Sequence, residues 1–195
     1  MGYVIFYNYD YYSENLIEIL YLWQGGLSFH GGLLGIVTAA IIISNLYKTT
    51  FFEISDLICV SAPVGIFFGR ISNFINGELF GRPSNFLIGM KFPNADNQYR
   101  HPSQLYEAFL EGLLLFIILN FLIFKFKKLK NPGIISGVFL MLYGLFRFTV
   151  EFTREPDIQL GFVYHFLTMG MILSLPMFLA GILILVIKSI KNDTR

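Results

Sequence analysis

Five apolar stretches follow one another along the chain: Leu33–Tyr47, Ile54–Phe74, Leu105–Phe126, Gly133–Phe152 and Met169–Ile187. A bilayer core needs about 20 mostly apolar residues per helix, within a range of about 17 to 25. The first stretch is short and borrows Gly31 and Gly32, and the second stays apolar until Arg70. Ahead of them, "MGYVIFYN" reads as the last two turns of a helix whose first turns are absent. The longest polar connection, Arg82–Gln104, carries Pro83, Pro93 and Pro102, which favours neither strand nor helix. No internal repeat interrupts the series. The pattern predicts an all-α, polytopic membrane protein. It forms one integral membrane domain over residues 1–195, with five full spans and the end of an earlier one.

Composition sharpens this reading. Hydrophobic residues make up 55% of the 195 positions and charged residues only 14%, against about 25% charged in a soluble domain. A net charge of +1 leaves no basic face for a nucleic-acid partner. The single cysteine, Cys59, excludes internal disulfides and cysteine-based metal sites, and its apolar setting suits a buried, inert thiol. No basic segment, apolar core and small-residue cleavage site stand together as a signal peptide would require. Phe6 argues against myristoylation at Gly2.

Lysines set the expected orientation. Lys48 follows the first span, Lys125, Lys127, Lys128 and Lys130 separate the third and fourth, and Lys188 and Lys191 with Arg195 follow the last. Span parity puts all of them on one side, which the positive-inside rule makes cytoplasmic. Tyr9–His30, Gly69–Gln104 and Glu151–His165 then fall on or near the opposite, outer side.

The unusual polar residues gather there in four clusters. "GGLSFHGGLLG", Gly25–Gly35, sets His30 among glycines that allow close helix packing or positive φ. "GRISNFINGELFGR", Gly69–Arg82, ends the second span with Arg70, Asn73, Asn76, Glu78 and Gly81. Arg70 and Asn73 share a helical face. A charged residue at this depth faces a cavity or a partner; the bland alternative is an Arg70–Glu78 pair that closes the helix end. "HPSQLYEA", His101–Ala108, opens the third span with Tyr106 and Glu107 close behind Pro102; Tyr106 also suits an interfacial aromatic belt. "YGLFRFTVEFTREPD", Tyr143–Asp157, places Arg147 and Glu151 four apart on one face. Two intramembrane arginines on different helices near one leaflet suit a clamp for an anionic headgroup, since a planar guanidinium binds phosphate bidentately.

In this order the clusters resemble the bacterial phosphatidylglycerol:prolipoprotein diacylglyceryl transferases. The family signature G-R-x-(G/A)-N-F-x-N-x-E-x-x-G is matched from Gly69 through Arg70, Asn73, Phe74, Asn76 and Glu78 to Gly81, with Ser72 where Gly or Ala is usual. "HGG" at His30, "HPSQLYE" at His101, the segment from Arg147 to Asp157 and "LSLPM" at Leu173–Met177 are similar to further family segments. Members are usually longer by a span and a half at the N-terminus, so the chain is expected to be a fragment or a late start.

The resemblance implies a reaction: the diacylglyceryl group of phosphatidylglycerol moves to the lipobox cysteine thiol of a prolipoprotein, giving a thioether and glycerol phosphate. It also implies a place, the bacterial cytoplasmic (inner) membrane, with the active region facing the periplasmic side. Arg70 and Arg147 are expected to grip the phosphate and stabilise its departure. Asn73, Asn76, Gly81, His101 and Tyr106 are expected to contact substrate. His30 is the expected proton acceptor, with His101 in reserve. Glu78 and Glu151 are expected to position the arginines or a histidine. No cofactor or metal is expected. A transporter or anionic-lipid-binding protein is the rival class, but one signature rather than paired interrupted helices argues against transport. A metal-dependent lipid phosphotransferase would want free carboxylates, and each carboxylate here is expected to pair with a basic neighbour.

Overall fold

The computed structural model describes residues 29–156, 162–164 and 167–193. "MGYVIFYN", Tyr9–Ser28, Asp157 and His165 lie outside the described residues, as does the His30 side chain. Two compact units divide the chain, Met1–Ile54 and Ser55–Arg195.

In the first unit, α1 runs from Phe29 to Leu46. It takes in Gly31 and Gly32, as the shortness of the apolar stretch required. The unit also holds the start of α2, Phe51–Ile75. A capping box opens α2: the Thr50 backbone N–H donates to Glu53 Oε2 (2.9 Å) and the Glu53 N–H donates to Thr50 Oγ1 (3.3 Å).

The second unit contains the rest of α2 and three more spans. α3, Ser103–Phe126, is α-helical over Ser103–Glu107, a π-helix over Ala108–Leu114 and α-helical again over Leu115–Phe126. α4 covers Ile134–Val150 and α5 Met169–Asp193. By length and composition α2, α3 and Met169–Ile190 of α5 can each cross a membrane; Gly31–Leu46 and α4 are shorter apolar helices. The predominantly helical, polytopic architecture agrees with the sequence reading. A small ribbon adds to it: β1, Phe162–Tyr164, pairs antiparallel with β2, Leu167–Thr168.

Membrane helices must satisfy their polar groups internally. Ser61, Asn120, Thr149 and Ser174 do so by donating to backbone carbonyls three or four residues back, Ile58, Phe116, Leu145 and Gly170. Leu115, Leu119 and Ile135 form the buried centre, with Cys59, Val60 and Leu142 packed on it. Leu175, Leu179, Leu183 and Ile190 of α5 are exposed, the face such a helix turns to lipid. Small residues bring α4 and α5 into backbone contact: a Cβ on Gly144 would meet Phe178 N and Ser174 O at 2.8 Å, and one on Gly181 would meet Met141 N and Gly137 O.

A buried carboxylate sets the start of α4. Asp56, on α2, accepts from the Gly133 N–H (2.8 Å), the Ser136 N–H (2.8 Å) and the Ser136 hydroxyl. Two orphan backbone N–H groups at a helix N-terminus, where the macrodipole favours a negative charge, are thereby met from a neighbouring helix, along with one hydroxyl. Asp56 therefore has no need of a basic neighbour, contrary to the sequence expectation for the carboxylates. This contact joins α2 and α4 at the lysine-rich end of the unit. The opposite ends of α2, α3, α4 and α5 meet where the polar clusters lie.

Candidate functional site

The end of α2 is fastened to the start of α3. Gly77 takes φ +67°, and Leu79 takes φ +54° although it is not glycine. This turn presents the Glu78 and Leu79 carbonyls to α3, where Gln104 Nε2 donates to Glu78 O (2.5 Å) and the Ser103 hydroxyl to Leu79 O (3.0 Å). Gly81 then passes between two strands of backbone. Its N–H donates to His101 O (2.8 Å), it bridges Arg154, and a Cβ there would strike Thr153 O and His101. Arg82 crosses to the end of α4, donating from Nε to Arg154 O (2.8 Å) and from a terminal nitrogen to Glu151 O (3.4 Å). A cation here meets the negative end of the α4 dipole. The "ELFGR" and "HPSQ" segments thus lock α2, α3 and α4 at one end.

Beneath this lock lies a cluster of charges. Arg70 Nε stands 2.6 Å from Glu107 Oε2, and an Arg70 terminal nitrogen 3.9 Å from Glu111. Arg147 reaches Glu107 (3.4 Å), Glu111 (3.7 Å) and Glu151 (3.0 Å). Arg154 reaches Glu107 at 3.6 Å. Three arginines and three glutamates, from α2, α3 and the α4 end, thus share one site. The Arg70 and Arg147 side chains keep 20% and 15% of their surface exposed, whereas Glu107 and Glu111 keep 1% and 0%. The surface that the cluster leaves exposed therefore belongs mostly to the arginine side chains rather than to these two carboxylates. Behind Glu151, the Thr168 hydroxyl donates to Glu151 Oε1 (2.9 Å) while accepting the Met171 N–H at the start of α5 (3.3 Å). Gly170 lies so close that a Cβ would contact the Glu151 carboxylate.

The structure therefore brings Arg70, Arg147 and Glu151 together, as the spacing suggested. Glu78 is not with them. It is exposed and makes no ion pair among the described residues, so the Arg70–Glu78 alternative is replaced by Arg70–Glu107 and Arg70–Glu111. The pairing of every carboxylate with a basic neighbour fails for Glu78 as well as for Asp56. Asn73 is half-buried one turn beyond Arg70, and Asn76 is exposed with its carbonyl accepting from Asn94 Nδ2 (3.1 Å). His101 Nδ1 and the Tyr106 hydroxyl lie 3.2 Å apart, a hydrogen-bonded pair at the start of α3. His30 is the second residue of α1, in the other unit.

A sequence profile described as prolipoprotein diacylglyceryl transferase matches residues 1–187. The phosphatidylglycerol–prolipoprotein diacylglyceryl transferase of Rickettsia bellii (strain OSU 85-389) is 50% identical over 195 residues, covering 100% of this chain and 74% of the relative. Those of Rickettsia felis and Rickettsia rickettsii (strain Sheila Smith) are 53% and 54% identical over 181 residues, covering 93% of this chain and 70% of each relative. The chain belongs to the prolipoprotein diacylglyceryl transferase family.

In this family member, sequence reasoning passed over Glu111 and gave no role to Glu107 or Arg154. Glu111 carried a usable signal: it is an acidic residue well inside an apolar span, where charge is costly and marks function or a partner. The π-turn that begins at Ala108, between Glu107 and Glu111, had no such signal. Arg154 looked like part of a solvated loop, yet it is buried by the backbone crossing at Gly81.

The connection that follows α2 is itself braced. Arg100 binds Asp96 through two nitrogens (2.8 and 3.0 Å) and Glu155 through a third (2.7 Å), over the Phe80 ring. The hydrogen bonds from Arg100 hold the Asp96 carboxyl below its usual range, and Asp96 in turn raises Arg100. Phe92, packed between Phe74 and Phe80, anchors the same segment from beneath.

Proposed function

We propose that this chain transfers the diacylglyceryl group of phosphatidylglycerol to the lipobox cysteine thiol of a prolipoprotein, at the cluster around Arg70 and Arg147. One observation supports the assignment of the site: arginines from two apolar helices, whose side chains keep some exposed surface, share buried carboxylates at one end of the bundle. A lipid phosphate reaches such a site without leaving the bilayer. Preorganised cations in a water-poor setting stabilise the charge that develops as a phosphate departs.

The chemistry requires a C–S bond to form at a glyceryl carbon while the bond from that carbon to a phosphate oxygen breaks. The thiolate is the nucleophile, and a free cysteine has a pKa of about 8.5, so the proton must be accepted. His30 takes that role in this reading, because an imidazole accepts protons near neutrality. Arg70 and Arg147 receive the phosphate, Glu151 orients Arg147, and Asn73 and Asn76 contact the glycerol head. His101 with Tyr106 borders the substrate, and Gly81 admits close backbone approach. Glycerol phosphate is the leaving product. The lysine distribution supports a cytoplasmic-membrane protein with this end on the outer side.

The test supplies acyl-labelled phosphatidylglycerol and a lipobox peptide to the protein in lipid nanodiscs. The expected products are a thioether-linked, labelled peptide and free glycerol phosphate, with no transfer to a Cys-to-Ser peptide. Labelled diacylglycerol released without a thioether would make the protein a phosphodiester hydrolase or phosphotransferase instead.

A further inference from the structure

Glu111 is a carboxylate with nothing to hydrogen-bond. It has no exposed surface, and neither oxygen has a hydrogen-bond partner among the described residues. It forms ion pairs with the Arg147 and Arg70 guanidiniums at 3.7 and 3.9 Å, beyond hydrogen-bond length but well within charge contact. Buried polar groups are nearly always hydrogen-bonded, so an orphan of this kind calls for an explanation. The Glu107 oxygens also lack a hydrogen-bond partner, but Glu107 stands 2.6 Å from Arg70 in a close ion pair, and Glu151 is tied to Arg147 and Thr168. Glu111, in the π-turn, reaches arginines of two helices only at 3.7 and 3.9 Å and has no exposed surface.

We infer that Glu111 is a counter-charge that competes with the phosphate for Arg70 and Arg147, and so limits how tightly the site holds its anionic lipid and releases its anionic product. This rests on the proposed role of the two arginines. Without a ligand, the carboxylate draws on both guanidiniums. An arriving phosphodiester shares them, and its binding is weakened by the negative charge already present. After transfer, the glycerol phosphate that leaves is a monoester able to carry a second negative charge. An arginine pair with no opposing carboxylate would retain it. Repulsion across the arginines therefore favours departure, which turnover requires.

Glu111→Gln keeps the shape and removes the charge. Binding of phosphatidylglycerol, and inhibition by glycerol phosphate, should each strengthen about tenfold, while kcat falls because product leaves slowly. Glu111→Asp draws the carboxylate back by one methylene and should strengthen both about threefold; it serves as the test if the Gln variant does not fold. A residue with a merely structural role would raise KM or lower the melting temperature instead. Arg70→Lys and Arg147→Lys are measured alongside. If they weaken lipid binding while both Glu111 variants bind no more tightly than the parent, the counter-charge is wrong and the arginine site stands. If the lysine variants bind lipid as the parent does, the arginine site itself is wrong and this inference falls with it.

Discussion

Arg70 and Arg147 enter the site from different helices, and their partners show how far local sequence reads. Arg147 and Glu151 were legible because they lie four apart in one helix, and their 3.0 Å contact follows from that spacing. Arg70 was legible as a cation at lipid depth, but its partner was not. Glu78, eight residues on, is the nearest acid in the chain, yet the positive-φ turn at Gly77 and Leu79 carries it outward. Glu107, far away in sequence, holds the arginine instead. These placements predict a contrast. Glu107→Gln leaves three arginines short of a buried counter-ion and should destabilise the protein by about 3 kcal/mol. Glu78→Gln, at an exposed position, should change stability by no more than about 0.5 kcal/mol. Thermal unfolding in detergent compares the two, and equal losses would place Glu78 in the cluster after all.

At the scale of elements, hydropathy located the helices because lipid demands continuous apolar runs. Their ends were less visible. The π-turn of α3 lies inside an unbroken apolar run, and the strands of the β1–β2 ribbon, three and two residues long, are too short to show an alternating pattern, so hydropathy marks neither. The same holds for the start of α4, where no side chain of its own precedes the helix to cap it. Gly133, at φ +99°, and Ser136 instead take their cap from Asp56 on α2. Asp56→Ala should therefore cost about 1–3 kcal/mol by orphaning buried donors. Because Asp56 lies at the end opposite the arginines, KM for phosphatidylglycerol should hold steady in the folded fraction. A changed KM with an unchanged melting temperature would mean that the two ends are coupled through α4.

For the whole molecule, the proposed function requires the end bearing the arginines to face the compartment in which the prolipoprotein thiol is presented. In a chain with Cys59 replaced by Ala, Asn94→Cys should react with an impermeant thiol reagent on intact spheroplasts, and Lys127→Cys should react only after lysis. The reverse pattern would invert the orientation. The proposed function then reduces to one demand: guanidiniums with a planar fork, held by buried carboxylates, receive the lipid phosphate. Arg70→Lys and Arg147→Lys keep the charge and remove the fork. Transfer of labelled diacylglyceryl to a lipobox peptide, measured side by side for the parent and these two variants, tests that demand most directly. A loss of at least about tenfold in each is predicted, and near-parental rates in both would contradict the account.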